Sequence, residues 1–338
     1  MLDFDDSRLE NPEVLAAAAP LLMNLASSGA RVRREAAIAE APLADLIDVD
    51  RPRAVIANGP EARLLRAVLE PVCPVPFVAW PALGLPGWVG PLDVVLLIGR
   101  RGPESLAAAH EAVRRGCRLI VACPPGSQLA EQAASRATTV LPVNTGDPLA
   151  AAVVCLLALH RLGLGPYTNP DAIAAAMDAV AERCAARTDV SVNPAKAMAL
   201  DLADASPLVW GGSVLAARAS RRIVEALRLA SGRVGLAADA TDLVSLIQQV
   251  RPRDPFADPF EEGTQERRPG LVLIDDGMDD AAAAEARVRL EQTALAADIR
   301  ITRLEHLEDS TVERYATVLL TGLFGAAYLQ IGLGRTAS

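Results

Sequence analysis

From residue 53 onward, short runs of β-branched and aliphatic residues alternate with stretches of helical period, and this alternation restricts the possible folds more than any other feature. Runs at 53–58, 75–80, 93–99, 118–123 and 138–143 read as strands, with amphipathic stretches at 103–115, 127–136 and 148–162 among them. Strands that are apolar throughout, not only at every second position, are buried on both faces. The expected arrangement is therefore a mostly parallel sheet with helices on each side. The turn formers Gly163-Leu-Gly-Pro-Tyr-Thr-Asn-Pro170 end this segment and place a domain boundary there.

The pattern then repeats: helices at 171–186 and 194–205, a strand at 208–210, a helix at 214–230, a strand at 233–237 and a helix at 242–250. A Pro- and charge-rich stretch at 251–269 reads as a long surface loop. A strand at 271–274, an alanine-rich helix at 280–297, a strand at 299–304 and a closing helix complete the chain. The expectation is α/β with two doubly wound parallel-sheet domains, residues 1–165 with the N-terminal segment and 166–338 with the C-terminal helix.

Composition narrows the function. The 338 residues are 51% hydrophobic and 22% charged, which suits a folded chain and not a disordered one. A net charge of −9 gives no general footprint for nucleic acid or an anionic membrane, and aromatics at 3% leave few stacking platforms. The stretch 315–334 is about twenty residues without a charge, long enough to span a bilayer, but its threonines, glycines and Gln330 favour a buried helix. Neither a membrane nor a nucleic-acid partner is expected. Asp3, Asp5 and Asp6 stand where a secretory signal would carry positive charge, and a cytoplasmic location is expected.

Lys196 is the only lysine, so the other 32 basic residues are arginine. No Gly-Lys-Ser/Thr occurs, which removes the phosphate-binding loop of P-loop NTPases. Five scattered cysteines without a Cys-x-x-Cys pair suit a reducing compartment, and His110, His160 and His306 stand far apart. No metal ligand set is visible, no Gly-x-Gly-x-x-Gly follows a strand, and no cofactor is expected.

In open α/β sheets ligands collect outside the carboxyl ends of the strands, where helix N-termini present backbone N–H groups to an anion. Four junctions fit: Asn58-Gly59-Pro60, the stretch from Gly99 through Arg100 and Arg101 to Ser105, Pro124-Pro125-Gly126-Ser127, and Gly211-Gly212-Ser213. At the last, two glycines let the backbone approach a phosphate and Ser213 adds a hydroxyl, although the same residues also make a plain Ser N-cap. Arg100 and Arg101 can clamp a phosphate or stand merely solvated.

Asn193-Pro-Ala-Lys-Ala-Met-Ala199, Pro207-Leu-Val-Trp-Gly-Gly-Ser213 and the uncharged 315–334 helix together resemble the double sugar-isomerase (SIS) domain proteins. The likeness is nearer to the bifunctional phosphoglucose/phosphomannose isomerase family. The resemblance implies a phosphorylated-sugar ligand, a homodimer, and aldose–ketose isomerisation through an enediol. It also shows where this chain departs from the family. The family's hydroxyl-rich phosphate loop meets Ile98-Gly99-Arg100-Arg101-Gly102-Pro103, its Gly-Gly-Ser loop meets Asn58-Gly59-Pro60, and its active-site arginine meets Asp147-Pro148-Leu149. Glu225 falls within one residue of the family's catalytic glutamate, while no histidine lies between 160 and 306 and the C-terminal lysine is absent.

The expected function is accordingly a non-catalytic SIS-type protein that binds a phosphorylated sugar or a partner enzyme. Its sugar-phosphate residues would be Asn58, Gly59, Arg100, Arg101, Ser105, Ser127, Gly211, Gly212 and Ser213. The alternatives are an active isomerase with Glu225 and Lys196 as catalytic residues in a rebuilt site, and a scaffold without a small ligand. Glu225 between arginines on a helix also reads as a solvated ion pair.

Overall fold

A computed structural model describes residues 3–46, 50–81, 84–99, 103–250, 267–278, 280–306, 308 and 310–335. Arg100 and Arg101, and most of the 251–269 stretch, lie outside them. The chain forms two compact units, Ser28–Ala175 and a second made of Met1–Ser27 with Ala176–Ser338.

The chain starts with a 3-10 turn at Asp6–Leu9, followed by α1 (Pro12–Ala17) and α2 (Ala19–Ala26). The unit Ser28–Ala175 continues in order with α3 (Ser28–Ala44), β1 (Val55–Asn58), α4 (Ala62–Leu69), β2 (Phe77–Ala79), β3 (Val94–Ile98) and α5 (Pro103–Arg114). Next come β4 (Arg118–Cys123), α6 (Gln128–Gln132), β5 (Thr138–Pro142) and α7 (Pro148–Arg161). Among the described residues its five strands are all parallel, in the order β2-β1-β3-β4-β5. Ile56, Val95, Leu97, Leu119 and Val121 turn one way, onto Ala108, Ala109 and Ala112 of α5 and Leu129 of α6. On the opposite face α4 packs on α7, and α3 packs on α7 and β5. The buried Glu35 of α3 accepts the backbone N–H groups of Asn144 (3.0 Å) and Thr145 (2.6 Å), holding the loop after β5.

α8 (Pro170–Arg183) leads into the other unit, where α9 (Pro194–Asp201), β6 (Ser206–Gly211), α10 (Val214–Ser231), β7 (Leu236–Ala237) and α11 (Ala240–Gln248) follow. Then come β8 (Pro269–Asp275), α12 (Ala281–Ala296), β9 (Ile301–Glu305) and α13 (Thr311–Gly332). Four described strands pair in parallel in the order β7-β6-β8-β9, which repeats the first four positions of the other sheet. Leu243 and Ile247 of α11 and Leu290 and Ala294 of α12 cover one face, on Leu208, Trp210, Leu271 and Leu273. On the other, α13 packs along α9 and α10.

Helix starts follow simple local chemistry. Four helices begin with an Asx cap and proline at the first position: Asn11-Pro12, Asp147-Pro148, Asn169-Pro170 and Asn193-Pro194. There the side-chain oxygen takes N–H groups the helix cannot satisfy, and proline has none to lose. α10 ends at Gly232, whose φ of 67° is the left-handed cap geometry that suits glycine.

α13 is long and apolar enough to cross a membrane, yet 89% of its most apolar window is buried inside the protein. It is a core helix of its unit. The N-terminal turn is fastened to its end: the Asp5 N–H donates to Gly332 O at 2.9 Å and Arg8 Nε to Ile331 O at 2.8 Å. The helices before residue 53 and the short α4 add to the elements expected from sequence.

Candidate functional site

In a sheet ordered β2-β1-β3-β4-β5 the connections leave β1 in opposite directions, so a crevice opens at the carboxyl ends of β1 and β3. β1 ends at Asn58 and is followed by Gly59, whose φ is 132°. A Cβ there would lie 2.4 Å from Ile98 O, so only glycine lets this turn approach the end of β3. A Cβ on Gly99 would meet Ala122 O at 2.7 Å.

Side chains alternate along a strand, so Asn58 points to the same face as Ile56, toward α5 and α6. It is 2% exposed, and its Nδ2 has no hydrogen-bond partner among the described residues. Next to it, Trp80 follows β2; its N–H donates to Ala57 O at 2.8 Å, and its buried indole Nε1 also lacks a described partner. Buried polar groups are nearly always satisfied, so two unpaired donors at one strand edge need an acceptor from elsewhere.

Ser105 is buried in the first turn of α5. Its spacing of three, four and seven from Ala108, Ala109 and Ala112 puts it on the sheet-facing stripe. Ser127 caps α6, accepting the Ala130 N–H at 3.3 Å and donating to Cys123 Sγ at 3.4 Å. Asn58, Gly59, Trp80, Ser105 and Ser127 thus share the carboxyl edge on the α5/α6 side, a setting rich in donors. Burial pushes the Cys123 thiol above its ordinary value, with the bond from Ser127 pulling the other way. On α5, Glu104 and His110 are exposed, and Glu111 is taken up by the Leu85 N–H at 3.0 Å and by Arg115. The described side chains at this edge can hold an anion, and the buried carboxylate nearest to Asn58 along the chain is Glu61, which immediately precedes α4.

At the matching edge of the other sheet, Gly211 allows close packing: a Cβ would lie 2.4 Å from the backbone of Ala216. Gly212 is half-buried in the turn. Ser213 caps α10 by accepting the Ala216 N–H at 2.9 Å, and its hydroxyl donates to the carboxylate of Asp276, which is 1% exposed. Burial works to raise the Asp275 carboxyl, but the Gly277 N–H and Arg287 outweigh it and hold it below the ordinary range.

Lys196 and Glu225 are placed apart from either edge chemistry. Lys196 is 1% exposed; its Nζ donates to Ala186 O at 3.0 Å and Thr188 O at 2.9 Å and lies 5.7 Å from the centre of the Tyr328 ring. Burial lowers its pKa, while Glu10 and Asp189 pull it back up. Glu225 stands half-exposed on α10, paired with Arg222 at 3.0 Å. At 1.5 Å per residue it is about 17 Å along the helix from its first residue. Trp80 and Asp276 were not among the residues expected from sequence. Their only sequence signal is position, each immediately following a strand.

No protein-family model matches the chain, and no curated protein matches it. Solved structures do. A candidate phosphosugar isomerase from Bacillus subtilis is similar over 91% of this chain and 95% of its own, with 18% identity and a TM-score of 0.58. A glucose-6-phosphate isomerase-like protein from Thermus thermophilus is similar over 90% and 94%, with 16% identity and a TM-score of 0.54. A candidate sugar-binding protein from Salmonella typhimurium is similar over 91% and 98%, with 15% identity and a TM-score of 0.59. The chain therefore has the doubly wound, two-sheet fold of SIS-type, phosphosugar-isomerase-like proteins.

Proposed function

We propose that this protein binds a phosphorylated sugar at the carboxyl edge of its first sheet and does not turn it over, acting in the cytoplasm as a homodimer. The observation that carries the reading is the buried, unpartnered Nδ2 of Asn58 at the point where the sheet's winding reverses. A phosphate oxygen is acceptor-only at neutral pH and would satisfy it, with Ser105, Ser127 and the first turn of α5 beside it. The similar solved proteins include phosphosugar isomerase-like and sugar-binding ones, which supports the ligand class. The exposed ion pair of Glu225 and the carbonyl-bound Lys196 support binding without proton transfer. Five thiols outside any disulfide suit a reducing compartment.

The test is a calorimetric titration with fructose 6-phosphate, glucose 6-phosphate and mannose 6-phosphate beside a coupled isomerase assay. Binding without turnover is expected, with a loss of about 100-fold or more in N58D, where a carboxylate replaces the donor. Absence of binding by all three sugars, or an N58D protein that binds normally, overturns the reading. Turnover that disappears in E225Q would make the protein an isomerase.

A further inference from the structure

The row of side chains at the carboxyl edge of the first sheet has a direction. Parallel register pairs Ile56 with Val78 and Ala57 with Ala79, so the next pair across β1 and β2 is Asn58 beside Trp80. The bond from the Trp80 N–H to Ala57 O continues that ladder by one step. On its other side Asn58 pairs with Leu97 of β3, and Leu97 with Val121 of β4. Trp80 packs against the cluster that holds Ile56, Leu97 and Val121, so it turns to the same face as Asn58. With neighbouring strands about 4.8 Å apart, Trp80 stands about 5 Å from Asn58 and about 10 Å from the end of β3.

The two ends of this row differ in chemistry. β3 runs into α5, 12 residues long, whose first turn carries the buried Ser105 and brings N–H groups to this edge. β2 is followed by β3 with no helix between them among the described residues, so the Trp80 end has no helix dipole to favour an anion. The helix after β1, α4, begins behind the buried Glu61 and packs on α7, on the other face. A phosphate on the Asn58 face therefore sits toward α5. Trp80 offers a neutral group instead, a buried indole N–H with no described partner, and indole donates but cannot accept.

We propose that Trp80 reads the carbohydrate end of the ligand: its Nε1 donates to a sugar oxygen while Asn58 and the start of α5 hold the phosphate. This role depends on the phosphate site proposed above, to which it adds a polarity and the residue that tells a sugar phosphate from phosphate alone. From C1 to phosphorus a hexose 6-phosphate spans on the order of 8 Å, close to the roughly 10 Å between Trp80 and the end of β3. A three-carbon phosphate, at about 5 Å, stops short of the indole.

W80F keeps an aromatic ring and removes the N–H. Calorimetry with fructose 6-phosphate, glycerol 3-phosphate and inorganic phosphate on wild type, W80F and N58D tests the proposal. A neutral hydrogen bond is worth up to about tenfold in affinity, so W80F should bind fructose 6-phosphate about 5–10-fold more weakly and the two smaller ligands within about twofold of wild type. N58D should weaken all three by about 100-fold. Should W80F fail to fold, the tryptophan emission of wild type decides. Trp88 lies over Arg53 and Trp210 in the core of the other unit, so saturating fructose 6-phosphate should shift the emission and inorganic phosphate should not. Equal losses for all three ligands in W80F, no loss at all, or an emission that responds alike to every ligand overturns the proposal. Loss of binding in N58D with normal binding in W80F would leave the phosphate site standing and sink the role of Trp80 alone. A wild-type protein that binds none of the three sinks both.

Discussion

A close helix–helix contact in the C-terminal half gives a sharp test of the packing. A Cβ added to Gly322 of α13 would lie 2.5 Å from both Cδ1 and Cγ1 of Ile223 on α10 and 3.1 Å from Cγ2. Ile223 is 0% exposed, and a β-branched side chain in a helix has essentially one rotamer, so it cannot swing clear. Replacing glycine by alanine inside a helix should by itself stabilise by about 1 kcal/mol. Overpacking a core typically costs about 1–3 kcal/mol, and a 2.5 Å contact with a fixed rotamer belongs in the upper part of that range, so after the helix gain the net expectation for G322A is a loss of about 1–2 kcal/mol. At about 2–4 °C per kcal/mol for a unit of this size, Tm should fall by roughly 2–8 °C. Gly325 is the control. There the Cβ would meet Met198 Sδ at 2.5 Å, but methionine is unbranched and adaptable, so G325A should stay within about 1 kcal/mol of wild type. I223V removes Cδ1 and should recover part of the loss in the G322A background, giving a coupling of about 1 kcal/mol in a double-mutant cycle. A G322A protein as stable as wild type, or more so, would refute the reasoning.

Three further outcomes are expected. Cys117, Cys123, Cys155 and Cys184 are buried and Cys73 is half-buried, so a thiol reagent at pH 8 should modify one cysteine in the native protein and five in urea; rapid labelling of all five without denaturant would contradict the core packing. Burial pushes the Cys155 and Cys184 thiols up to about 12. Their folded values exceed the unfolded ones, so their stabilisation is full below about pH 8.5 and is lost as pH climbs toward 12, by about 3 kcal/mol per thiol near pH 11. Urea midpoints should fall steadily from pH 9 to 11, and a flat profile would count against it. E35A removes the carboxylate that accepts the Asn144 and Thr145 N–H groups, and should cost about 2–4 kcal/mol in urea unfolding, whereas a loss under about 1 kcal/mol would show the loop is held by something else.

How much of this was legible beforehand depends on how local each signal is. Eight of the nine described strands carry β-branched residues, β7 being only Leu236–Ala237, and several helix starts follow from Asx-Pro or Ser caps, because those preferences act within a few residues. Asn58, Gly59, Ser105 and Ser127 were legible as strand-end and helix-start residues. Their meeting on one face follows from the β1–β3–β4 pairing. Lys196 and Glu225 matched a motif, yet their surroundings differ: one ammonium faces two carbonyls, and one carboxylate faces solvent and Arg222. Those surroundings are built by residues the motif does not include.

The sequence by itself determined the alternation of strand and helix, the parallel character of both sheets, and the residues able to sit at strand ends. Periodicity and turn chemistry are properties of neighbouring residues. Only the tertiary structure decided that Asn58 Nδ2 is left buried and unpaired, and that Ser213 donates to Asp276, 63 residues further on. It also decided that Arg8 bonds the end of a helix 323 positions away. Such pairings arise because burying apolar faces brings distant strands and helices together, and a polar group is satisfied, or left unsatisfied, only by what that packing puts beside it.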